Sequence, residues 1–457
     1  MTELAIHNPA TGERIAGVPA DDLATVAIKA ARARAAQPAW AATPLAERLA
    51  CIGRFRDGVV RELEALAVTM TRETGKPIRV SRNELNGLLP RIDFFMQQTR
   101  PCIATETVHD EGGMREQIEH LPLGVVANIS AWNYPWFVGC NVIVPALLTG
   151  NAVLYKPSEY ATLTGLEIAR LLHQAGVPRD VLAVLVGDGA VGAALLEQTI
   201  DGLFFTGSYA TGARIGQALS GRLVKLQLEL GGKDPTYVCE DADPKTAAQS
   251  LADGAMYNTG QSCCSVERIY VHDAIVGPFV EAFVETVRGF VLGDPEDPAT
   301  YIGPLARSQQ IAVLEHQIRD AVEKGARVLC GGKRAARGGN YFEPTVLGNV
   351  TTDMAVMREE SFGPIIGIEA VPDDATAIAR MNDTDFGLTA GVYTRDRARA
   401  TAILARVNAG SVYWNCCDRV SPRLPWTGRK HSGLGSTLSK AGIAAFLQPK
   451  AWHLRSS

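Results

Sequence analysis

Residues 121–155 contain no Asp, Glu, Lys or Arg. A charge-free run this long either crosses a membrane or forms the buried heart of a folded domain. Its interior decides between the two. Pro122, Pro135 and Pro145 interrupt any continuous helix, and Asn128, Asn133, Asn141 and Asn151 would be unsatisfied in hydrocarbon. The run therefore predicts a strand, a loop, a helix and a second strand, all buried by protein.

Regular alternation follows. Apolar runs predict strands over 124–130, 151–158, 181–187, 202–207 and 223–229. Helical spacing predicts helices over 162–174 and 191–198, with a third ending at Ala218. Strand-helix repeats of this length imply right-handed crossovers and a parallel sheet covered on both faces. The first hundred residues read as helical, with helices over 21–41 and 45–74 and Gly75 as a stop signal. Residues 101–121 read as a hairpin about Gly112 and Gly113. A second α/β block begins near Gly231, with helices over 244–257, 276–290 and 309–324 and strands over 267–271 and 326–329. A short helix and an extended strand are expected over 441–454.

Composition narrows the function. Hydrophobic residues are 46% of 457 and charged residues 21%, enough for a large core and unlike a disordered or fibrous chain. The 45 basic and 49 acidic residues leave a net charge of −4. Such a balance is not suited to phosphate backbones or anionic membranes, so no nucleic-acid or membrane partner is expected. The nine cysteines include the adjacent pairs Cys263-Cys264 and Cys416-Cys417 and no C-x-x-C. That pattern predicts neither a disulfide framework nor a metal site, and points to a reducing cytoplasm. No signal-peptide pattern is visible at the N-terminus.

Gly187-Asp188-Gly189-Ala190-Val191-Gly192 matches G-x-G-x-x-G after a strand. A dinucleotide fingerprint also needs an acid at the end of the next strand, and that strand ends in Phe205-Thr206-Gly207-Ser208. The motif is therefore read as a packing turn. Gly207 and Ser208, opening a helix, are a better phosphate site, and Lys156 and Glu159 could hold a ribose.

Three residues carry the candidate chemistry. Cys263 lies between a helix and a strand, where a thiol can serve as nucleophile. Asn133, in a Pro-stopped turn, can donate its amide to an oxyanion. Glu229 ends a strand before Gly231 and Gly232, where an apolar setting would make its carboxylate a general base of raised pKa.

The ordered motifs W-N-Y-P (132–135), K-P-S-E (156–159), F-T-G-S (205–208), E-L-G-G-K (229–233), G-Q-S-C (260–263), E-E-S-F-G-P (359–364) and K-H-S-G (430–433) resemble the aldehyde dehydrogenase superfamily across essentially the whole chain. The resemblance implies an α/β fold: a Rossmann-like cofactor domain over 1–99 and 123–229, a catalytic domain over 230–432, and a small β oligomerisation flap over 100–122 and 433–457. It implies Cys263 as nucleophile, Asn133 with the Cys263 backbone N–H as oxyanion hole, and Glu229 as the base for water. Cofactor contacts are implied at Trp132, Lys156, Ser158, Glu159, Gly207, Ser208, Leu230, Glu360 and Phe362. NAD is expected ahead of NADP, because Glu159 would accept both ribose hydroxyls and repel a 2′-phosphate. A small aldehyde is the expected substrate, and a homodimer or homotetramer the expected assembly. A CoA-acylating enzyme is the alternative outcome on the same thioester, and succinate-semialdehyde-type specificity an alternative within the family. A non-catalytic scaffold is the third possibility. The loop 415–423 should line the substrate mouth, where Arg419 or Arg423 could meet a distal carboxylate.

Overall fold

The computed structural model describes residues 3–456. Two parallel sheets dominate it, and the charge-free run lies in the first. That sheet has six strands in the order Gly433–Leu434, Lys225–Glu229, Gly202–Thr206, Val125–Ile129, Ala152–Lys156, Leu182–Val184. All neighbours are parallel except Gly433–Leu434, which pairs antiparallel to Lys225–Glu229. The chain moves outward from Val125–Ile129 in one direction, then returns to its other side at Gly202–Thr206. The strand order thus reverses beside Val125–Ile129, and a crevice opens at the carboxyl ends of such strands.

The four strands from Gly202–Thr206 to Leu182–Val184 are buried on both faces, which is why they read as largely apolar runs. Val126, Val153, Tyr155 and Phe204 pack on one side with Phe55, Trp136 and Ile168. Ala127, Leu154, Leu203 and Phe205 pack on the other with Val26, Leu195 and Ile215. The helices end where local chemistry stops them. Gly75, at φ 76°, closes Leu45–Thr74, and Asp188, Ser208 and Asp243 cap the helices that follow them.

The second sheet has seven strands in the order Arg327–Cys330, Thr345–Gly348, Ile365–Val371, Val266–His272, Asp234–Val238, Thr389–Tyr393, Ser411–Trp414. Only the first pair is antiparallel. A third sheet is antiparallel, with Met114–Pro122 between Leu447–Arg455 and Glu106–Glu111, and it turns at Gly112 and Gly113.

The elements differ from the sequence reading in two places. The first hundred residues are not all helical: Glu3–His7 and Arg14–Pro19 form an antiparallel hairpin, turned at Asn8 and Gly12. The first helix, Leu23–Ala42, follows it, and a helix over Ile78–Ile103 completes the region. In the second block five strands (Asp234–Val238, Thr345–Gly348, Ile365–Val371, Thr389–Tyr393, Ser411–Trp414) are not predicted from sequence. Among the described residues no helix is long and apolar enough to cross a membrane.

Candidate active site

The candidate residues gather at the carboxyl edge of the six-stranded sheet. Trp132 and Asn133 follow Val125–Ile129, Ser158 and Glu159 follow Ala152–Lys156, Gly207 and Ser208 follow Gly202–Thr206, and Leu230 follows Lys225–Glu229. Cys263 comes from the other sheet, just before the amino end of Val266–His272. Two cavities meet there. One of about 250 Å³ is lined by Trp132, Asn133, Gly207, Ser208, Leu230, Glu360 and Phe362. The other, about 520 Å³, is lined by Tyr134, Phe137, Tyr257, Asp418, Arg419 and Arg91. Cys263, Glu229 and Trp426 line both, so they stand at the junction.

The turn that presents Cys263 is strained. Asn258, Thr259 and Gly260 all lie at positive φ, 54°, 59° and 69°. Two of the three are not glycine, so the surroundings must hold them there. The Asn258 amide donates to the carbonyls of Asn133 (3.3 Å) and Gln261 (3.1 Å), and Thr259 is bonded to Gly303. At Gly260 a Cβ would fall 2.3 Å from the Gly363 carbonyl oxygen, so only glycine fits. The Asn133 amide donates to the Gln261 carbonyl at 3.2 Å, which ties it to the same turn. An amide has two N–H groups, so one remains for a ligand.

Cys263 is partly exposed, whereas Cys264 is buried. The Cys264 thiol donates to Asp418 at 2.9 Å. Its hydrogen bond with Cys263, burial and the Asp418 carboxylate hold that thiol well above its ordinary range. Of the adjacent pair, only Cys263 faces both cavities. Glu229 is buried, and burial pushes its carboxyl up to about 7. Thr437 donates its hydroxyl to the same carboxyl, and the Gln227 amide donates at 3.4 Å.

The cofactor side is also organised. Glu360 accepts from the Gly232 N–H at 3.1 Å, and burial raises its carboxyl to about 8. A Cβ on Gly231 would overlap the Glu360 carboxylate. Phe362 has φ 47° and meets Trp132 edge-to-face at 5.5 Å. Its turn is held by Glu267, which accepts from the N–H groups of Ser361 and Phe362 and pairs with buried Lys233 at 2.6 Å. Lys156, Ser158 and Glu159 do not line the smaller cavity. They stand one strand further along the same edge, with the Lys156 ammonium 3.6 Å from Glu159. The G-x-G-x-x-G segment behaves as a packing turn: Asp188 caps its own helix through Ala190, and Gly187 packs under Val191. Its helix flanks Lys156, whose stem comes within 3.9 Å of a Cβ built on Gly192. A groove formed by strand ends, glycines, a helix N-terminus at Ser208 and an aromatic pair fits a dinucleotide.

Several site residues were not found from sequence. Glu84 accepts from the backbone N–H groups of Trp136 (2.8 Å) and Phe137 (3.2 Å), fixing the helix that follows Asn133, and it pairs with buried Lys76. Arg91 lies two turns along the same helix as Glu84. The available signal is two charged residues, seven apart, on the face of 78–103 that is otherwise uncharged. Thr437 carries no signal in sequence, since its bond to Glu229 joins residues 208 positions apart. Of the two loop arginines, Arg419 lines the larger cavity and Arg423 does not. Cys417 is buried against Ser250 and Gly254, in a packing role.

Fold and site together define an α/β enzyme with a dinucleotide crevice and a cysteine at its inner end. Residues 1–452 match the model of the aldehyde dehydrogenase family, and the protein belongs to that family, as an NAD(P)-dependent oxidoreductase. A putative succinate-semialdehyde dehydrogenase (NADP(+)) of Mycolicibacterium smegmatis is 36% identical over 444 residues, covering 96% of this chain and 86% of that one. A betaine aldehyde dehydrogenase of Cereibacter sphaeroides is 35% identical over 449 residues, covering 98% and 92%. A crystal structure of an NADP-dependent E. coli enzyme superposes with a TM-score of 0.97 at 33% identity, covering 100% of this chain and 95% of that one.

Proposed function

We propose that the protein oxidises a small aldehyde to its carboxylic acid with NAD, using Cys263 as nucleophile and water activated by Glu229. The observation that carries this is the junction itself: a partly exposed thiol, a buried amide and a buried carboxyl, distant in sequence, border one cavity. The Cys263 thiolate adds to the carbonyl carbon, a C–S bond forms, and the carbonyl oxygen takes the negative charge. The Asn133 amide faces that oxygen, and a donor of this kind is worth about 2–4 kcal/mol in the barrier. When bound, the nicotinamide supplies the acceptor for the hydride that the adduct loses. The resulting thioester is opened by water. Glu229 takes the proton, the C–S bond breaks, and the sulfur leaves as thiolate. A carboxyl near 7 is suited to this, since it is largely ionised at mildly alkaline pH yet still basic.

Trp132, Gly207, Ser208, Leu230, Glu360 and Phe362 would hold the phosphate and nicotinamide parts of the cofactor. Lys156, Ser158 and Glu159 would hold its adenosine ribose. The Glu159 carboxylate disfavours a 2′-phosphate, so NAD is chosen over NADP even though some relatives are named for NADP(+). Glu229 also favours water over CoA as acyl acceptor, because a thiol needs no such base. Free thiols at all nine cysteines suit a reducing cytoplasm.

Cys263→Ala should abolish NADH formation with every aldehyde, and retained turnover would remove Cys263 from the reaction. Glu229→Gln should release NADH in a single burst and then stall. Acyl-CoA in place of free acid among the wild-type products would favour the acylating alternative.

A further inference from the structure

We propose that Arg91 recognises a carboxylate at the far end of the aldehyde, so that the substrate class is a short semialdehyde of a dicarboxylic acid. This rests on the reading of Cys263 as the nucleophile.

Arg91 lies on the helix Ile78–Ile103, is 7% exposed, and lines the larger cavity with Cys263 and Glu229. Its guanidinium stacks on the Phe137 ring at 3.7 Å and donates to the Asn141 side-chain oxygen at 3.3 Å. That hydrogen bond goes to a neutral group, and a guanidinium has five N–H donors. Among the described residues no carboxylate comes within ion-pair distance of it. Every acid on the cavity wall already has a donor of its own. Glu84 is taken by Lys76 and two backbone N–H groups, Asp253 by the Tyr301 hydroxyl, Asp418 by the Cys264 thiol and Glu229 by Thr437. Lys76 neutralises Glu84, so the Arg91 charge remains in excess on that wall.

A buried cation with no counter-ion is costly to the fold. Such a group is retained where a ligand supplies the missing charge, and a carboxylate matches the guanidinium fork in shape as well as sign. Burial lowers the Arg91 pKa to about 10, which still leaves it charged at neutral pH. Arg91, Cys263 and Glu229 line the same cavity, so both ends of one small molecule can be held at once. Arg419, by contrast, is exposed and screened by water. The same logic disfavours a quaternary ammonium aldehyde, which Arg91 would repel.

The test compares succinic and glutaric semialdehydes with butanal, pentanal and betaine aldehyde at about pH 8.5, where Glu229 is ionised. The wild type should favour the semialdehydes by at least about 100-fold in kcat/KM. Arg91→Met should collapse that ratio, mainly through KM, and Arg91→Lys should restore part of it. A second arm needs no turnover. Succinate should protect Cys263 from iodoacetamide in the wild type, succinamide should not, and Arg91→Met should lose the protection. Equal use of neutral and carboxylate aldehydes by the wild type would overturn the proposal. So would equal loss for both series in a folded Arg91→Met protein. If Arg91→Met does not fold, the wild-type panel and the succinate protection still decide. If no aldehyde yields NADH, the failure belongs to the Cys263 mechanism, and protection by succinate still judges Arg91.

Discussion

The Glu229 carboxyl has little contact with water, and burial raises its pKa to about 7. Thr437, Arg91 and Gln227 pull in the other direction, with Thr437 the strongest of the three. The threonine hydroxyl therefore acts as a positioning group: it aims the carboxyl and stabilises its ionised form. Its own place is fixed by a two-way backbone pairing with Trp426, a residue that lines both cavities. Thr437→Val should raise the Glu229 pKa further. The sign follows directly, because loss of a hydrogen bond to the charged form favours the neutral form. The acid limb of the kcat profile should shift to higher pH, with a larger loss at about pH 6 than at about pH 8.5. A uniform fall at all pH values would mean that Thr437 acts on packing alone. At this scale the sequence reading depended on type and neighbourhood. Cys263, Asn133 and Glu229 stand in short motifs, whereas Thr437 and Arg91 reach the site only through tertiary contact.

Helix ends show how one element holds another in place. Glu73, on Leu45–Thr74, accepts from the N–H groups of Leu163 (2.6 Å) and Thr164 (2.9 Å) and from the Thr164 hydroxyl (2.9 Å). It caps Thr162–Gln174 from a distant part of the chain, where Ala161 offers no side-chain cap. Glu73→Ala would leave three donors unpaired, a cost of about 2–5 kcal/mol and a clear fall in Tm. Burial raises the Glu73 carboxyl to about 7 from an ordinary 4.5. A group raised on folding adds stability below its unfolded pKa and loses it as pH climbs through the folded value. The Tm difference between wild type and Glu73→Gln should therefore move against the wild type from about pH 5 to about pH 8. A flat difference would show that the carboxyl titrates normally in the fold. Four strands of the first sheet are legible because burial on both faces makes each a largely apolar run. In the second block, Ser411–Trp414 alternates between exposed and half-buried residues, and Thr389–Tyr393 is short and carries threonine and glycine, so neither stands out by composition. The N-terminal hairpin does not stand out in sequence because its alternation covers only a few residues on each arm, too short to separate from the helices after it.

At the scale of the whole molecule, the three-stranded sheet is the element least satisfied by its own chain. Leu447–Arg455 is exposed from Gln448 onward, and Glu106–Glu111 is exposed along its length. Val108, Trp452 and Leu454 stand among the exposed large apolar residues. A thin antiparallel sheet with bare apolar side chains is marginal alone and gains most by packing on another surface. Its long Met114–Pro122 strand pairs with Leu447–Arg455 over nine positions, so it is already stiff and pays little entropy on docking. A second copy of the chain is the partner that this geometry favours, since an identical sheet offers the same apolar residues in return. Light scattering on the wild type should then give a mass that is a multiple of 48.9 kDa, as a dimer or tetramer. Trp452→Asp with Leu454→Asp should move that mass toward the single chain, because an unpaired carboxylate at each position is costly to bury. No residue of the three strands lines either cavity at Cys263, so single-turnover NADH release should survive the change even where stability falls. A wild-type mass of one chain would assign the exposed residues another partner, and loss of the burst with dissociation would show that assembly completes the site.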